Sequence, residues 1–350
     1  MADFNIKKLL QSVVTHGASD LHLISRSEPQ IRLDGALKPV NLPILTGEDV
    51  EEMCYSLITE KQKQHFEEYD ELDFALLLPG IGRFRANYYR TLGETAAAFR
   101  IIPIEIPSLD DLGAPQIYKQ IIKREKGLIL VTGPTGSGKS TTLAAMINEI
   151  NLHEHKHVIT VEDPVEFIHQ NKKCVFSHRG VGEDTNSFAI ALKFAMRQDP
   201  DIILIGEMRD KETIEAGLTA AETGHLVFAT LHTSSAAGTI NRIIDVFTGD
   251  EQPQIRAMIA SSLVAVIAQA LLPKLGGGRV AASEVLISNH AIANLIRESK
   301  VHQLYSQMQL GQGDSGMQTQ TQALLKFLQE GKISYDTAKQ YANKPNEITK

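Results

Sequence analysis

The sequence has few of the residues and runs that mark secreted, zinc-binding or membrane-spanning proteins. Its 350 residues include no tryptophan and two cysteines, Cys54 and Cys174, which are too far apart for a C-x-x-C motif. A disulfide framework and a cysteine-rich zinc module are therefore excluded, and a reducing cytosol fits. No apolar run approaches the ~20 residues of a membrane-spanning helix, and the N-terminus shows no signal-peptide pattern. We expect no direct insertion into a membrane.

The sequence also lacks a basic stripe. Lys and Arg number 35 against 42 Asp and Glu, and the basic residues are dispersed along a chain of net charge −7. Nucleic-acid binders usually concentrate their positive charge on one face, so no nucleic-acid partner is expected. The 43% apolar content is ordinary for a globular protein, and the length suggests two domains.

A glycine-rich stretch at residues 133–140 matches the P-loop pattern G-x-x-x-x-G-K-S. An apolar run of strand type precedes it at residues 127–132, and helical spacing follows it, as a P-loop requires. Glycines let consecutive N–H groups face an anion at a helix N-terminus. Lys139 is predicted to reach the β- and γ-phosphates of a nucleotide, and the Ser140 hydroxyl to hold Mg²⁺. The predicted nucleotide-binding residues are Gly133, Pro134, Thr135, Gly136, Ser137, Gly138, Lys139, Ser140 and Thr141.

The order of predicted elements indicates an α/β protein of two domains. Residues 1–102 predict a small α+β domain, and the proline-rich stretch 103–115 predicts a linker that acts as a hinge. Residues 116–350 alternate strands and helices, which favours a mainly parallel sheet covered on both faces. Beyond residue 252 we predict mostly helices, interrupted by one strand at 280–287 and ending in a helical subregion from about 289 to 350.

Two acidic clusters follow predicted strands of the second domain. Glu162, Asp163 and Glu166 follow the strand at 158–161, and Glu207 follows the apolar strand at 202–205. In α/β proteins, ligands bind at the carboxyl ends of the strands, and hydrolysis of a nucleotide needs a metal-ordering acid there. The second cluster is the Walker B arrangement with Glu in place of Asp.

Two histidines bracket the predicted strand at 226–231. His232 ends it beside the expected phosphates, where an imidazole can sense the γ-phosphate. His225 begins it, at the opposite end, and is expected to be structural or to lie at a subunit contact. The H-E-x-x-H match at residues 153–157 lies between a helix and a strand rather than inside a helix, so a zincin site is excluded.

Arginines are candidates for balancing the charge of the γ-phosphate. Arg83, Arg85 and Arg100 lie on predicted strands of the first domain. The alternation of a strand places Arg83 and Arg85 on the same face.

Several motifs together resemble the secretion-ATPase superfamily. GPTGSGKST at 133–141, ITVEDPVEF at 159–167, DPDIILIGEMRD at 199–210 and TGHLVFATLHT at 223–233 resemble its Walker A, Asp box, Walker B and His box. Further stretches resemble the type IV pilus retraction ATPases of this superfamily: RFRANYYR at 83–90, AAAFRIIP at 96–103, GGGRVAASEVLI at 276–287, AIANLIRE at 291–298 and GMQT at 316–319.

This resemblance implies a PAS-like N-terminal domain, a RecA-like P-loop ATPase domain and a homohexamer at the cytoplasmic face of the inner membrane. It implies that the ring acts on a membrane platform protein, with an accessory retraction ATPase as a further partner, and drives pilin depolymerisation and twitching motility. Implied roles are water polarisation by Glu166, support of the metal site by Glu207, catalysis by the His-box residues His225 and His232, and γ-phosphate contacts by Arg83, Arg85 or Arg100. The expected ligands are ATP and Mg²⁺.

Alternatives stay open. Ala293 stands where the retraction proteins have Arg. Two readings of the chain therefore stay open, the retraction motor and its accessory paralogue. Extension and type II secretion ATPases commonly carry a longer N-terminal region and a four-cysteine zinc element, and two cysteines do not suffice for that element. Rivals of other classes are a RecA-like nucleic-acid translocase and a nucleotide-gated assembly protein without turnover.

Overall fold

The computed structural model describes residues 5–33, 35–311 and 316–349, and divides the chain into two compact units. Unit 1 comprises Met1–Glu105 and Asp163–Ile168, and unit 2 comprises Ile106–Glu162 and His169–Lys350. The sequence did not indicate that a short piece of the Asp box joins unit 1. Most of the predicted linker at 103–115 lies in unit 2, where Leu109 is only 2% exposed and packs in a core.

Unit 1 is built on an antiparallel sheet of six strands in the order β3-β2-β1-β6-β5-β4. Its elements are α1 (Ile6–Thr15), β1 (Asp20–Leu23), β2 (Gln30–Leu33), β3 (Ala36–Pro39), α2 (Gly47–Tyr55), α3 (Glu60–Tyr69), β4 (Glu71–Leu78), β5 (Gly82–Thr91) and β6 (Glu94–Ile102). Alternate residues of β5, namely Phe84, Ala86 and Tyr88, enter one core with residues of all three helices. The opposite face of β5 carries Arg83 and Arg85, because side chains alternate along a strand.

Tyr88 lies at the centre of this core. Its ring makes edge-to-face contacts with Phe66, Phe74 and Phe99, whose centroids lie 6.0, 5.2 and 5.8 Å away. Its hydroxyl donates a hydrogen bond to the carbonyl oxygen of Cys54 at 3.0 Å, so the buried polar tip is satisfied.

Unit 2 contains a sheet of seven strands in the order β13-β12-β7-β11-β10-β8-β9, in which all neighbours are parallel except β12 and β13. Its strands are β7 (Gly127–Thr132), β8 (His157–Glu162), β9 (Val175–Gly180), β10 (Ile202–Ile205), β11 (Leu226–Leu231), β12 (Leu263–Pro273) and β13 (Arg279–Ile287). The helices up to β13 are α4 (Ile117–Ile121), α5 (Lys139–His153), α6 (Phe188–Ala195), α7 (Lys211–Glu222), α8 (Ala236–Asp245) and α9 (Gln252–Ser262).

Both faces of this sheet are buried. Leu128 and Leu130 of β7 enter one core with residues of α6, α7, α8 and α9, whereas Ile129 and Val131 enter another with residues of α4 and α5. This confirms the predicted α/β fold with a mainly parallel sheet between two layers of helices.

The C-terminal region is helical, as predicted, with α10 (His290–Arg297), α11 (Leu304–Leu310), α12 (Gln320–Gln329), α13 (Tyr335–Tyr341) and two 3₁₀ turns (Val301–Gln303 and Pro345–Glu347). Between residue 252 and this region, α9 and the strand predicted at 280–287 agree with the structure, but residues 263–273 form the strand β12 beside β7 and not the expected helix. Its apolar run is buried on both sides and shows no alternation, so periodicity does not distinguish it from a buried helix.

Candidate nucleotide-binding site

The predicted P-loop joins the buried strand β7 to the N-terminus of α5. Gly133, Gly136 and Gly138 adopt φ angles of 145°, 79° and 86°, a region that residues with a Cβ rarely adopt. Gly138 is the N-cap of α5, and no side chain caps this helix. The first N–H groups of the helix are therefore left for an anion, and the macrodipole adds positive potential there.

Lys139 carries its ammonium group inside the loop. Nζ donates to the carbonyl oxygens of Gly133 and Pro134 at 2.8 and 3.1 Å, and the residue is 9% exposed. Next to it, Ser137 Oγ is buried and has no hydrogen-bond partner among the described residues. A buried hydroxyl without a partner is costly, so the loop is suited to a ligand with acceptor oxygens. Phosphate is such a ligand.

Gln269 on β12 shapes the loop from outside, and the sequence did not indicate it. Its Nε2 donates to the carbonyl oxygen of Ser137 at 2.7 Å, and its Oε1 accepts from the Thr142 hydroxyl at 2.9 Å. A Cβ at Gly133 would lie 2.2 Å from the Gln269 carbonyl oxygen, so only glycine fits. No local motif marks this glutamine, because it acts across the sheet.

Glu207 lies just beyond β10, at the edge of the sheet where the P-loop follows β7. Its Oε1 accepts from Arg209 Nε at 2.6 Å and pairs with His232 Nε2 at 3.0 Å. Partial burial opposes ionisation of this carboxyl, but the hydrogen bonds and charges of Arg209 and His232 outweigh burial and lower its pKa. Glu207 is therefore held ionised at neutral pH.

The two histidines of the predicted His box lie at opposite ends of β11. His232 reaches Glu207, as described, and its side chain is 46% exposed. His225 precedes the strand, and its Nδ1 lies 3.0 Å from the carbonyl oxygen of Ala220 at the end of α7. Because β7 and β11 run parallel, His225 is at the far end of the sheet from the P-loop. The structure thus brings His232 and Glu207 together and leaves His225 apart.

The remaining predicted site residues belong to unit 1. Arg83 donates to the carbonyl oxygens of Val165 and Glu166. Arg85 binds Asp73 with two nitrogen atoms, one of them 3.2 Å from Asp73 Oδ1. Arg100 Nε donates to Asp20 Oδ1 at 2.8 Å. The guanidinium groups of the three candidates for γ-phosphate contacts thus have oxygen partners within the unit.

The oxygen atoms of this site suit a Mg²⁺ ion that is bound together with a nucleotide. They suit less well a metal ion that is held by protein side chains alone. Ser140 and Glu207 offer the hard oxygen atoms that Mg²⁺ prefers, and Mg²⁺ usually takes one or two protein ligands together with substrate phosphates and waters. Across the described residues, no group of three or more His, Cys, Asp and Glu side chains has a metal-binding arrangement. His153 ends α5 and His157 begins β8, so the H-E-x-x-H match does not lie within one helix.

The searched part of the chain contains no helix that is both long and apolar enough to cross a bilayer.

Comparisons with known proteins agree with this geometry. The model of the family described as type II/IV secretion system protein matches residues 3–277. The chain is 49% identical over 344 residues to the Pseudomonas aeruginosa type IV pilus retraction ATPase PilT, and the alignment covers 98% of this chain and 100% of that protein. It is 39% identical over 343 residues to the type IV pilus ATPase PilU of the same organism, covering 98% and 90%. A crystal structure of the pilus retraction motor PilT with bound ADP matches with a TM-score of 0.92 and 48% identity, covering 99% of each chain. The similarity extends to nearly the whole chain.

Proposed function

Because this chain belongs to the type II/IV secretion system protein family, we propose that it is an ATP-hydrolysing motor that powers the retraction of type IV pili. The observation that carries the proposal is the pairing of Glu207 with His232 at the sheet edge that carries the P-loop, in a chain that aligns with a retraction ATPase over 98% of its length. The activity is ATPase activity coupled to mechanical work. Pilin depolymerisation and twitching motility are the expected results.

Binding of ATP is assigned to the P-loop. The N–H groups of residues 133–141 would bind the phosphates, and Lys139 would exchange its loop carbonyls for phosphate oxygens. Ser140 and Glu207 would hold Mg²⁺, which neutralises phosphate charge when bound. Because Glu207 already pairs with Arg209 and His232, it would reach the metal partly through water.

Hydrolysis needs groups that orient water and sense the γ-phosphate. We assign the first role to Glu166, whose carboxylate would accept a hydrogen bond from the attacking water. We assign the second to His232, because its contact with Glu207 links the ends of β11 and β10. His225 is proposed as a contact to another copy of the chain, given its distance from the P-loop along β11.

Arg85 and Arg100 are proposed as the cations that meet the γ-phosphate. Their side chains are 41% and 69% exposed, so neither guanidinium has to leave a buried position to reach a phosphate. When Arg100 moves, the buried carboxylate of Asp20 keeps its contacts with Ser19 and Arg32. Arg83, in contrast, is only 6% exposed.

The proposed assembly is a homohexamer at the cytoplasmic face of the inner membrane, acting on a pilus platform protein there. PilU is a type IV pilus ATPase from the same organism as PilT, and a paralogue of this kind is proposed as an accessory partner. Identity of 49% to PilT against 39% to PilU favours the principal retraction motor. Ala293, which differs from the retraction motif, is 7% exposed and packs in the apolar core of unit 2, away from any phosphate-binding role.

Two measurements test the proposal. Steady-state hydrolysis of ATP should fall by at least about 100-fold in Lys139→Ala and Glu166→Gln proteins, since each removes a group on which the chemistry depends. Deletion of the gene should leave cells with excess immobile pili, restored to normal by the wild-type gene and not by the Lys139→Ala variant. Bald cells would indicate an extension motor, and hydrolysis that requires DNA would indicate a translocase.

A further inference from the structure

The Asp-box segment Asp163–Ile168 has no regular secondary structure to hold it. Residues 163–168 form neither helix nor strand, so no helical or sheet hydrogen-bond ladder fixes their backbone. Val165 and Phe167 are each 8% exposed, whereas Glu166 between them is only partly buried. Two apolar side chains thus anchor the segment, and its main-chain polar groups need partners from elsewhere.

Arg83 of β5 supplies those partners. Its NH1 donates to the carbonyl oxygen of Glu166 and its NH2 to that of Val165. These oxygens belong to the two peptide groups that flank the Cα of Glu166. A rigid guanidinium that binds both peptide groups restricts the backbone angles of Glu166, and with them the direction of its side chain.

Burial strengthens this restraint. Arg83 is 6% exposed, and a guanidinium stays charged at any physiological pH. A buried cation must keep its hydrogen bonds, because uncompensated burial of charge is strongly unfavourable. Moving Arg83 onto a phosphate would break its hydrogen bonds to both carbonyl groups.

We propose that Arg83 is a positioning residue that orients Glu166 for hydrolysis and is not a ligand of the γ-phosphate. The inference rests on the proposed function, because it takes Glu166 as the group that polarises water. In this role Arg83 acts through the backbone of the Asp-box segment and not on the substrate itself. Arg85, two residues further along β5, is paired with the Asp73 carboxylate instead.

The test separates kcat from nucleotide affinity. Arg83→Ala should lower kcat by roughly 10- to 100-fold, a positioning effect, and leave the KM for ATP and the Kd for ADP within about threefold. Added to Glu166→Gln, the same substitution should lower the residual single-turnover rate by less than about twofold, because the oriented carboxylate is already gone. Arg83→Lys should retain part of the rate, since one ammonium can bind one of the two carbonyls.

Arg90→Ala is the matched control. Arg90 lies on the same strand, is 26% exposed at its side chain and pairs with Glu51 within unit 1. Its loss should lower the melting temperature without changing kcat by more than about twofold. If Arg83→Ala does not fold, kcat and nucleotide affinity are measured for Arg83→Lys in the wild-type and Glu166→Gln backgrounds instead.

Two results would overturn the proposal. One is an equal loss of kcat from Arg83→Ala in the wild-type and Glu166→Gln backgrounds. The other is weaker binding of a non-hydrolysable ATP analogue with unchanged ADP affinity, which would make Arg83 a γ-phosphate ligand. Normal turnover by Glu166→Gln would reject the catalytic role of Glu166 and the inference with it, whereas a wild-type protein that hydrolyses no ATP would reject the proposed function, so the failures are distinguishable.

Discussion

The side chain of Gln269 donates a hydrogen bond to the carbonyl oxygen of Ser137 at 2.7 Å, across 132 residues of sequence. The same amide accepts from Thr142 in the first turn of α5, so one buried side chain ties the loop to the helix it precedes. The conformation of the P-loop thus depends on β12 as well as on its own glycines.

Substitution of Gln269 by Leu should weaken nucleotide binding. The change removes both hydrogen bonds and leaves two buried polar groups unsatisfied, at about 1–3 kcal/mol. Part of this loss should appear as a roughly tenfold higher Kd for ADP, measured by calorimetry. Gln64→Leu, at an exposed position of α3, is the control and should bind ADP normally. An unchanged Kd in Gln269→Leu would show that the glycines alone determine the loop.

Glu207→Gln should lower kcat by roughly 100-fold, because an amide cannot replace a carboxylate beside Mg²⁺. The concentration of Mg²⁺ that gives half-maximal hydrolysis should rise in the variant. Glu215→Gln, an exposed acid on α7, should behave like the wild type in both assays. Equal Mg²⁺ dependence in Glu207→Gln and wild type would remove Glu207 from the metal site.

The pKa of Glu207 also predicts how its ion pairs respond to acid. Its pKa in the folded protein is lowered, so its pairs with Arg209 and His232 stabilise the fold above the ordinary pKa of 4.5. This stabilisation is lost as the pH falls through the lowered value. The difference in unfolding free energy between wild type and Glu207→Gln should therefore shrink between pH 5 and pH 3, as followed by urea titration.

His232→Gln and His225→Gln form a matched pair. His232 touches Glu207 at 3.0 Å, so its substitution should lower kcat by about tenfold with little change in ADP affinity. His225 lies at the other end of β11 and should cause a smaller loss. If His225→Gln reduces kcat as strongly, His225 contributes to catalysis at the site of a neighbouring copy of the chain. Mixing His225→Gln subunits with wild-type subunits would then reveal that role.

His169 should make the fold less stable in mild acid. Burial, followed by the charges of His178 and Lys172, lowers its pKa from 6.5 to about 3. Between these two values the unfolded chain binds a proton that the folded protein does not. The unfolding free energy therefore decreases by up to about 1.4 kcal/mol for each pH unit by which the pH is lowered. His169→Gln should remove this slope, whereas His302→Gln, at an exposed position, should not. The measurement is urea unfolding at pH 7.5, 6 and 5, and parallel slopes for His169→Gln and wild type would contradict it.

Much of the fold follows from local patterns. In unit 1, β4 begins with alternating exposed and buried residues, and the arginines predicted to lie on strands, Arg83, Arg85 and Arg100, lie on β5 and β6. Alternation is visible in sequence because one face of that sheet is buried. β12 escaped prediction because both of its faces are buried, which removes the alternation and leaves only an apolar run.

The candidate site divides in the same way. The P-loop and the acid at the end of β10 each belong to a short motif, and the residues of that motif are adjacent in the sequence. Gln269 and the contact of Arg83 with the Asp-box carbonyls join residues 132 and 83 positions apart and leave no periodic signal. In the sequence, Gln269 and Arg83 cannot be distinguished from other polar residues, because their hydrogen-bond partners come close only in the folded protein.

The sequence by itself therefore determined the class of chemistry, since phosphate binding at a helix N-terminus needs only a short stretch of glycines, a lysine and a hydroxyl in order. Tertiary structure alone decided which distant side chains hold that stretch and which residues orient Glu166. Those contacts depend on burial and on hydrogen-bond distances of about 3 Å, which exist only once the sheets have assembled.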